Sequence, residues 1–70
     1  MRYGARNQLV GNVVAIKKGA VMCQVTVEIA PKMRVSSVMT LDSLKELGIK
    51  KGSAVHVLIK AVNVLLATED

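Results

Sequence analysis

Between residues 21 and 29 the chain alternates without a break: Val21, Cys23, Val25, Val27 and Ile29 are apolar, and Met22, Gln24, Thr26 and Glu28 stand between them. A period of two over nine residues puts one row of side chains on each face of an extended strand. Such a strand carries unpaired N–H and C=O groups along both sides, so it demands neighbours. The flanking sequence offers them. Leu9 to Ile16 is mostly apolar and β-branched, and Lys17-Lys18-Gly19 reads as the turn that folds it against the alternating run. Pro31 and Lys32 interrupt the pattern, after which Met33 to Met39 alternates again, with Arg34, Ser36 and Val38 on the face opposite Val35 and Ser37.

Thr40-Leu41-Asp42-Ser43-Leu44-Lys45-Glu46-Leu47-Gly48 changes character. A capping Thr, an early Asp, a later Lys and a closing Gly predict a short helix, with Leu41, Leu44 and Leu47 toward the sheet and Ile49 packed beyond the glycine cap. Lys50-Lys51-Gly52 is a turn; Val55, Val57 and Ile59 then alternate with Ala54, His56 and Leu58 as a fourth strand, and Val62 to Ala67 is expected as a fifth. The reading is therefore mainly all-β: a small five-stranded OB-like β-barrel with one short helix between strands 3 and 4, closed so that no sheet edge is left open. Residues 1–70 form a single domain on this reading, since no linker, repeat or low-complexity run divides them.

Seventy residues bury only ~60% of the surface that their unfolded chain exposes, which makes the core of one copy marginal. The single cysteine, Cys23, excludes an intrachain disulfide, and the single histidine, His56, leaves too few ligands for a zinc site. Assembly with other copies is the remaining aid. Hydrophobic residues make up 51% of the chain, yet Trp and Phe are absent and Tyr3 is the one aromatic, so several strands are apolar on both faces: one for the barrel interior, the other for subunit contact. No segment reaches the ~18 unbroken apolar residues of a membrane span, and Met1 to Arg6 has no secretory h-region. A lone unpaired thiol also suits a reducing compartment, which places the chain in the cytoplasm.

Ten Lys and Arg against five Asp and Glu leave a formal charge of +5, and two of the acids are the terminal Glu69 and Asp70. That balance favours an anionic partner: nucleic acid, acidic lipid or a small oxyanion. Catalysis is not expected. Cys23 lies among valines as a small buried hydrophobe, His56 has no carboxylate beside it to make it a general base, and Met22, Met33 and Met39 fall within strands as packing residues. Barrels that bind single-stranded nucleic acid stack bases on aromatic side chains, and Tyr3 precedes the first strand rather than standing on a sheet face. The Lys17-Lys18 and Lys50-Lys51 pairs fall in turns, where solubilising charge is the usual role.

A small tetrahedral dianion asks for something different. All its oxygens accept, so its site should hold Arg, Lys, hydroxyls and free backbone N–H groups, with carboxylates kept away. Three acid-poor segments supply such donors: Gly4-Ala5-Arg6-Asn7, Thr40-Leu41-Asp42-Ser43 and Ile59-Lys60-Ala61. The second also opens the helix, whose N-terminal amides attract anions. Asp42 is its awkward member, expected to turn outward. Each segment has an ordinary structural reading as well, Thr40 and Ser43 as helix caps and Lys60 as the wet end of a strand. By pattern alone, an oxyanion-binding barrel, a nucleic-acid-binding barrel and a structural assembly module all stay open.

At these segments the chain resembles the Mop family, the molybdate-binding fold of molbindins and of the C-terminal domains of molybdate-responsive regulators. The likeness runs over essentially the whole chain. It is carried by Ala5-Arg6-Asn7-Gln8-Leu9 with Gly11 and Val13, by Lys18-Gly19-Ala20-Val21-Met22, by Val27-Glu28-Ile29, by Leu44 to Gly52, and by Leu58-Ile59-Lys60-Ala61. The resemblance implies a homohexamer built as a trimer of dimers, non-covalent binding of molybdate or tungstate at subunit boundaries, and no catalytic step. Carried over residue by residue, its anion contacts fall on Arg6 with the backbone of Ala5, on Thr40 and Ser43, and on Lys60 with the backbone of Ala61. One departure stands out: the family's opening motif begins with Ser, and this chain has Gly4 there.

Overall fold

Strand pairing around one long, bent strand organises the fold. The structure, a computed structural model, describes residues 7–69. Its elements run β1 (Asn7–Lys18), β2 (Met22–Ala30), β3 (Met33–Thr40), α1 (Leu41–Leu47) and β4 (Ala54–Ile59), followed by a 3-10 turn at Ala61–Asn63. The four strands make one antiparallel sheet in the order β3-β2-β1-β4. β1 serves two neighbours: its first half, Asn7 to Asn12, pairs with β4, and its second half, Asn12 to Lys18, pairs with β2. A register shift between Val13 and Ala15 marks where the strand changes partners. An extra residue there bends the strand and sharpens its twist, which curls the sheet toward a barrel. The start of β4 is pinned at the same place, because Val13 N–H donates to Ser53 O at 2.9 Å and Gly52 N–H to Val13 O at 2.8 Å.

The expected periodicity holds within β2 and β4, although Val21, read as the first member of the apolar row, lies in the bend before β2 and is exposed. Val13, Cys23, Val25 and Val27 are buried on the concave face together with Leu44 of α1, and Val55, Val57, Met39 and Ile49 pack partly buried around them. β4 alternates as anticipated, with Val55, Val57 and Ile59 half-buried and Ala54, His56 and Leu58 exposed. Cys23 is a buried free thiol. Met39 packs inward, whereas Met22 and Met33 are exposed, so packing within this chain accounts for only one of the three strand methionines.

The helix is capped as its sequence indicates: Thr40 Oγ1 accepts from Ser43 N–H, and Gly48, at φ 66°, closes the other end with its N–H on Lys45 O while Ile49 N–H reaches Leu44 O. Leu47 departs from expectation, being 65% exposed where Leu44 is buried. Each three-residue step on a helix falls ~60° short of a full revolution, so Leu47 points ~120° away from Leu41.

The expected fifth strand is the main difference. Residues 61–63 form the 3-10 turn, and 64–67 pair with no strand among the described residues, leaving Leu65 and Leu66 each 93% exposed. A strand exists only against an edge that accepts its hydrogen bonds, and the turn carries the chain away from β4's open side. The sheet is thus an open barrel, with the edges of β3 and β4 unpaired within the described residues.

Candidate functional site

The register of the sheet fixes where the donor segments lie. Thr40 pairs with Met22 at the start of β2, and the adjacent Cys23 pairs with Lys18, so Thr40 belongs to the Lys18 end of β1. Ile59, the residue before Lys60, pairs with Asn7 at the other end. Eleven residue steps separate Asn7 from Lys18, roughly 36 Å along the strand at ~3.3 Å per residue. The structure therefore holds the Thr40 and Lys60 groups at opposite ends of one protomer and brings them together nowhere in it. Ala5 and Arg6 lie outside the described residues. Asn7, their neighbour in sequence, opens β1 opposite Ile59.

At the Thr40 end the chain turns from β3 into α1 over a half-open cleft of about 450 Å³, lined by Lys18, Ala20, Val21, Thr40, Leu41, Asp42, Leu44 and Lys45. The Thr40 hydroxyl accepts from Ser43 N–H at 3.1 Å and donates to Ser43 Oγ at 2.9 Å. Its proton is in use. Ser43 can then direct its own hydroxyl proton to another acceptor. Leu41 N–H donates to Val21 O at 2.8 Å, so two first-turn amides of the helix already have partners, fewer than the sequence pattern suggested for a guest. Asp42 is exposed and shares the cleft wall rather than standing clear of it.

Lys18 and Lys45 share that wall, and pattern reading did not single them out. Lys18 had been assigned to a solvated turn and Lys45 to the last turn of the helix. The signal was present in strand order: a β1–β2 hairpin followed by a β2–β3 hairpin brings Lys18 two strands from Met39, next to the helix start. Two ammonium groups around one carboxylate leave this end positive.

At the other end Lys60 is exposed and precedes the 3-10 turn. That turn uses the N–H groups of Asn63 and Val64, which donate to Lys60 O and Ala61 O at 2.9 and 3.2 Å. The Ala61 amide, at its first position, is not used by those bonds, as holds for the first N–H of any helical turn. His56 is exposed on the outer face of β4, and the described residues contain no group of three or more His, Cys, Asp or Glu able to hold a metal ion. No helix of the described residues is long and apolar enough to cross a membrane.

Comparison with known proteins places the chain. Residues 4–66 match the TOBE domain family. Molybdenum-pterin-binding protein 3 of Clostridium pasteurianum is 46% identical over 66 residues, covering 94% of this chain and 97% of that protein. The structure superposes on MopII from the same organism with a TM-score of 0.87 at 40% identity, over 96% of this chain and 100% of the other. It also superposes on the cytoplasmic molybdate-binding protein ModG in a form with molybdate bound, at TM-score 0.86 and 38% identity, over 93% of this chain and 46% of ModG. With its curled sheet, its single helix and full-length matches of this quality, the chain belongs to the Mop family of TOBE-domain proteins.

Proposed function

We propose that this protein binds molybdate, and tungstate by the same contacts, reversibly and without catalysis, at the boundaries between copies of itself, and so stores and buffers the oxyanion in the cytoplasm. The observation that carries the reading is the division of donors between the two ends of β1. Neither end encloses a small dianion alone. Two protomers laid antiparallel would bring the Arg6, Lys60 and Ala61 groups of one against Thr40 and Ser43 of its partner. Such two-fold contacts are self-complementary, so each would generate its site twice. The kinship with a molybdate-bound protein supports molybdate as the guest.

In this arrangement Arg6 and Lys60 supply charge, with Lys18 and Lys45 adding to it at the Thr40 end. Ser43's hydroxyl and the amides of Ala5 and Ala61 set the orientation. Gly4, lacking the hydroxyl of the family's Ser, contributes an amide at most. Sulfate has the same charge and four acceptor oxygens, so it is rejected on size. Monoprotonated phosphate brings a hydrogen that a pocket of donors leaves unpaired. Twelve large hydrophobic side chains exposed among the described residues support assembly into a homo-oligomer, a hexamer of three dimers on the family pattern.

Calorimetry with molybdate, tungstate and sulfate tests the reading. Molybdate and tungstate bind tightly and sulfate at least ~100-fold more weakly, and Arg6→Ala or Lys60→Ala costs ~10-fold or more in affinity, the scale of a lost charge-assisted hydrogen bond. Equal affinity for the three ions refutes the size argument; unchanged affinity in both variants refutes the site.

A further inference from the structure

An acid stands in the wall of the cleft at the Thr40 end, where a site for anions has least use for one. Asp42 lines that cleft together with Lys18 and Lys45, and its side chain is exposed. The helix gives it a structural place, since an acid in the first turn of α1 meets the positive end of the helix. Nothing ties the carboxylate down there. Among the described residues it takes part in no side-chain hydrogen bond or ion pair, the one ion pair there joining Arg34 to Glu28 at 3.6 Å. Lys45 follows three residues later, a neighbouring position on the helix surface, and Lys18 comes from the end of β1. Two cations and one unattached anion therefore share a wall whose other members, Thr40 apart, are Ala20, Val21, Leu41 and Leu44.

We propose that Asp42 sets the affinity of the oxyanion site: its carboxylate is the anion that Lys18 and Lys45 face in the ion-free protein, and a bound dianion is held against its repulsion. The inference rests on the reading of this end as one wall of that site. The size of the penalty follows from the size of the cleft. A volume of about 450 Å³ is roughly 8 Å across, so a dianion inside lies within about that distance of the carboxylate, and even in the dielectric of water the repulsion weakens binding ~5-fold at low ionic strength. A fixed charge repels every ion of the same charge alike. Asp42 therefore lowers the affinity for molybdate and for sulfate by one common factor and leaves their ratio, which size determines, untouched. The carboxylate decides how tightly the site holds, and the cavity decides what it holds. A store has to release its cargo, and a repelling group in the wall favours release without loss of selectivity.

Calorimetry of the full chain in ~10 mM salt, where the Debye length is ~30 Å, tests the proposal with Asp42→Asn. Glu46→Gln is the control for net charge, because Glu46 belongs to the same helix but not to the cleft lining, and each substitution removes one negative charge. Asp42→Asn is expected to bind molybdate and sulfate each ~5-fold more tightly with their ratio unchanged, and the gain to shrink at physiological salt. Glu46→Gln binds both ions like the parent. Asp42→Ser removes the same charge with another residue that suits a helix start, and it reproduces the gain. Since Asp42 also supports the helix end, the ion-free melt of Asp42→Asn falls; a lower melt without any gain in affinity shows a purely structural role and overturns the proposal. A gain for one ion alone, or an equal gain in Glu46→Gln, overturns it as well. If the parent takes up molybdate and Lys60→Ala loses it while both Asp42 variants bind like the parent, the proposal fails and the proposed function stands; a parent that takes up no molybdate removes both together.

Discussion

Thr40 caps the helix and has a proposed place in the anion site, and one pair of substitutions separates the two roles. As N-cap it accepts from Ser43 N–H at 3.1 Å; in the proposed site it lines the cleft that the ion would enter. Thr40→Ala removes the cap at a cost of ~1 kcal/mol, which in a domain of this size lowers the melting temperature by ~4–8 °C. Thr40→Asp keeps the cap, because Asp caps helices as well as Thr or better, and its charge suits the positive helix end by ~0.3–1 kcal/mol. Stability in that variant therefore matches or slightly exceeds that of the parent. Binding does the opposite. Two unit charges 4 Å apart interact by ~1 kcal/mol in water and ~4 kcal/mol near a protein surface, so a carboxylate against a dianion costs roughly 2 to 8 kcal/mol. Even the lower figure is ~30-fold in affinity. Thermal melts at one fixed protomer concentration and molybdate calorimetry on the same samples provide the two readouts. Thr40→Asp protein that melts like the parent and binds molybdate like the parent refutes the placement of the ion at this helix start. Thr40→Ala protein with an unchanged melt refutes the capping argument.

Three further outcomes concern the scaffold. A Cβ added at Gly11 would stand 2.6 Å from Glu28 O and 2.7 Å from Val27 Cγ1, so Gly11→Ala forces β1 away from β2 and destabilises by ~1–2 kcal/mol despite the entropy that alanine saves in the unfolded chain; a melting temperature equal to the parent's contradicts this. Gly48 has open space around it but a φ of +66°, so Gly48→Ala costs ~1 kcal/mol of purely conformational strain in urea titrations and leaves molybdate affinity unchanged. Val25→Ala deletes two carbons from a fully buried position and lowers unfolding free energy by ~2 kcal/mol, and a loss under ~0.5 kcal/mol would mean that the core has collapsed into the gap.

Local rules sufficed where a residue's fate depends on its neighbours in the chain. The Cys23–Ile29 alternation, the Thr40 and Gly48 caps and the Val55–Ile59 face all follow from periods and backbone preferences that act over a few residues, and all are present in the fold, whereas Val21 lies in a bend before β2 and is exposed. Leu47 is the exception that shows the limit. A count of every third leucine suggested a common face, whereas the 3.6-residue turn rotates the third of them out of it. The place where β1 changes partners was equally hidden. Nothing in Val13-Val14-Ala15 distinguishes a bulge from a continuous strand; the shift arises because β1 must satisfy β4 on one half and β2 on the other.

What escaped pattern reading depends on groups far apart in sequence. Lys18 and Lys45 become part of the Thr40 end only once two hairpins are folded, and the 3-10 turn at Ala61 redirects a segment whose own composition says strand. Under the proposed function, Thr40 and Lys60 meet a guest that neither end of one protomer encloses. Where a second copy completes the site, ion and assembly are thermodynamically linked. An ion held only between protomers stabilises the assembled form by RT ln(1 + [L]/Kd), ~2.7 kcal/mol at a hundredfold excess over Kd. Lys60→Ala, which removes a donor from the proposed site, is then expected to lower the melting temperature measured in excess molybdate while leaving the ion-free melt unchanged.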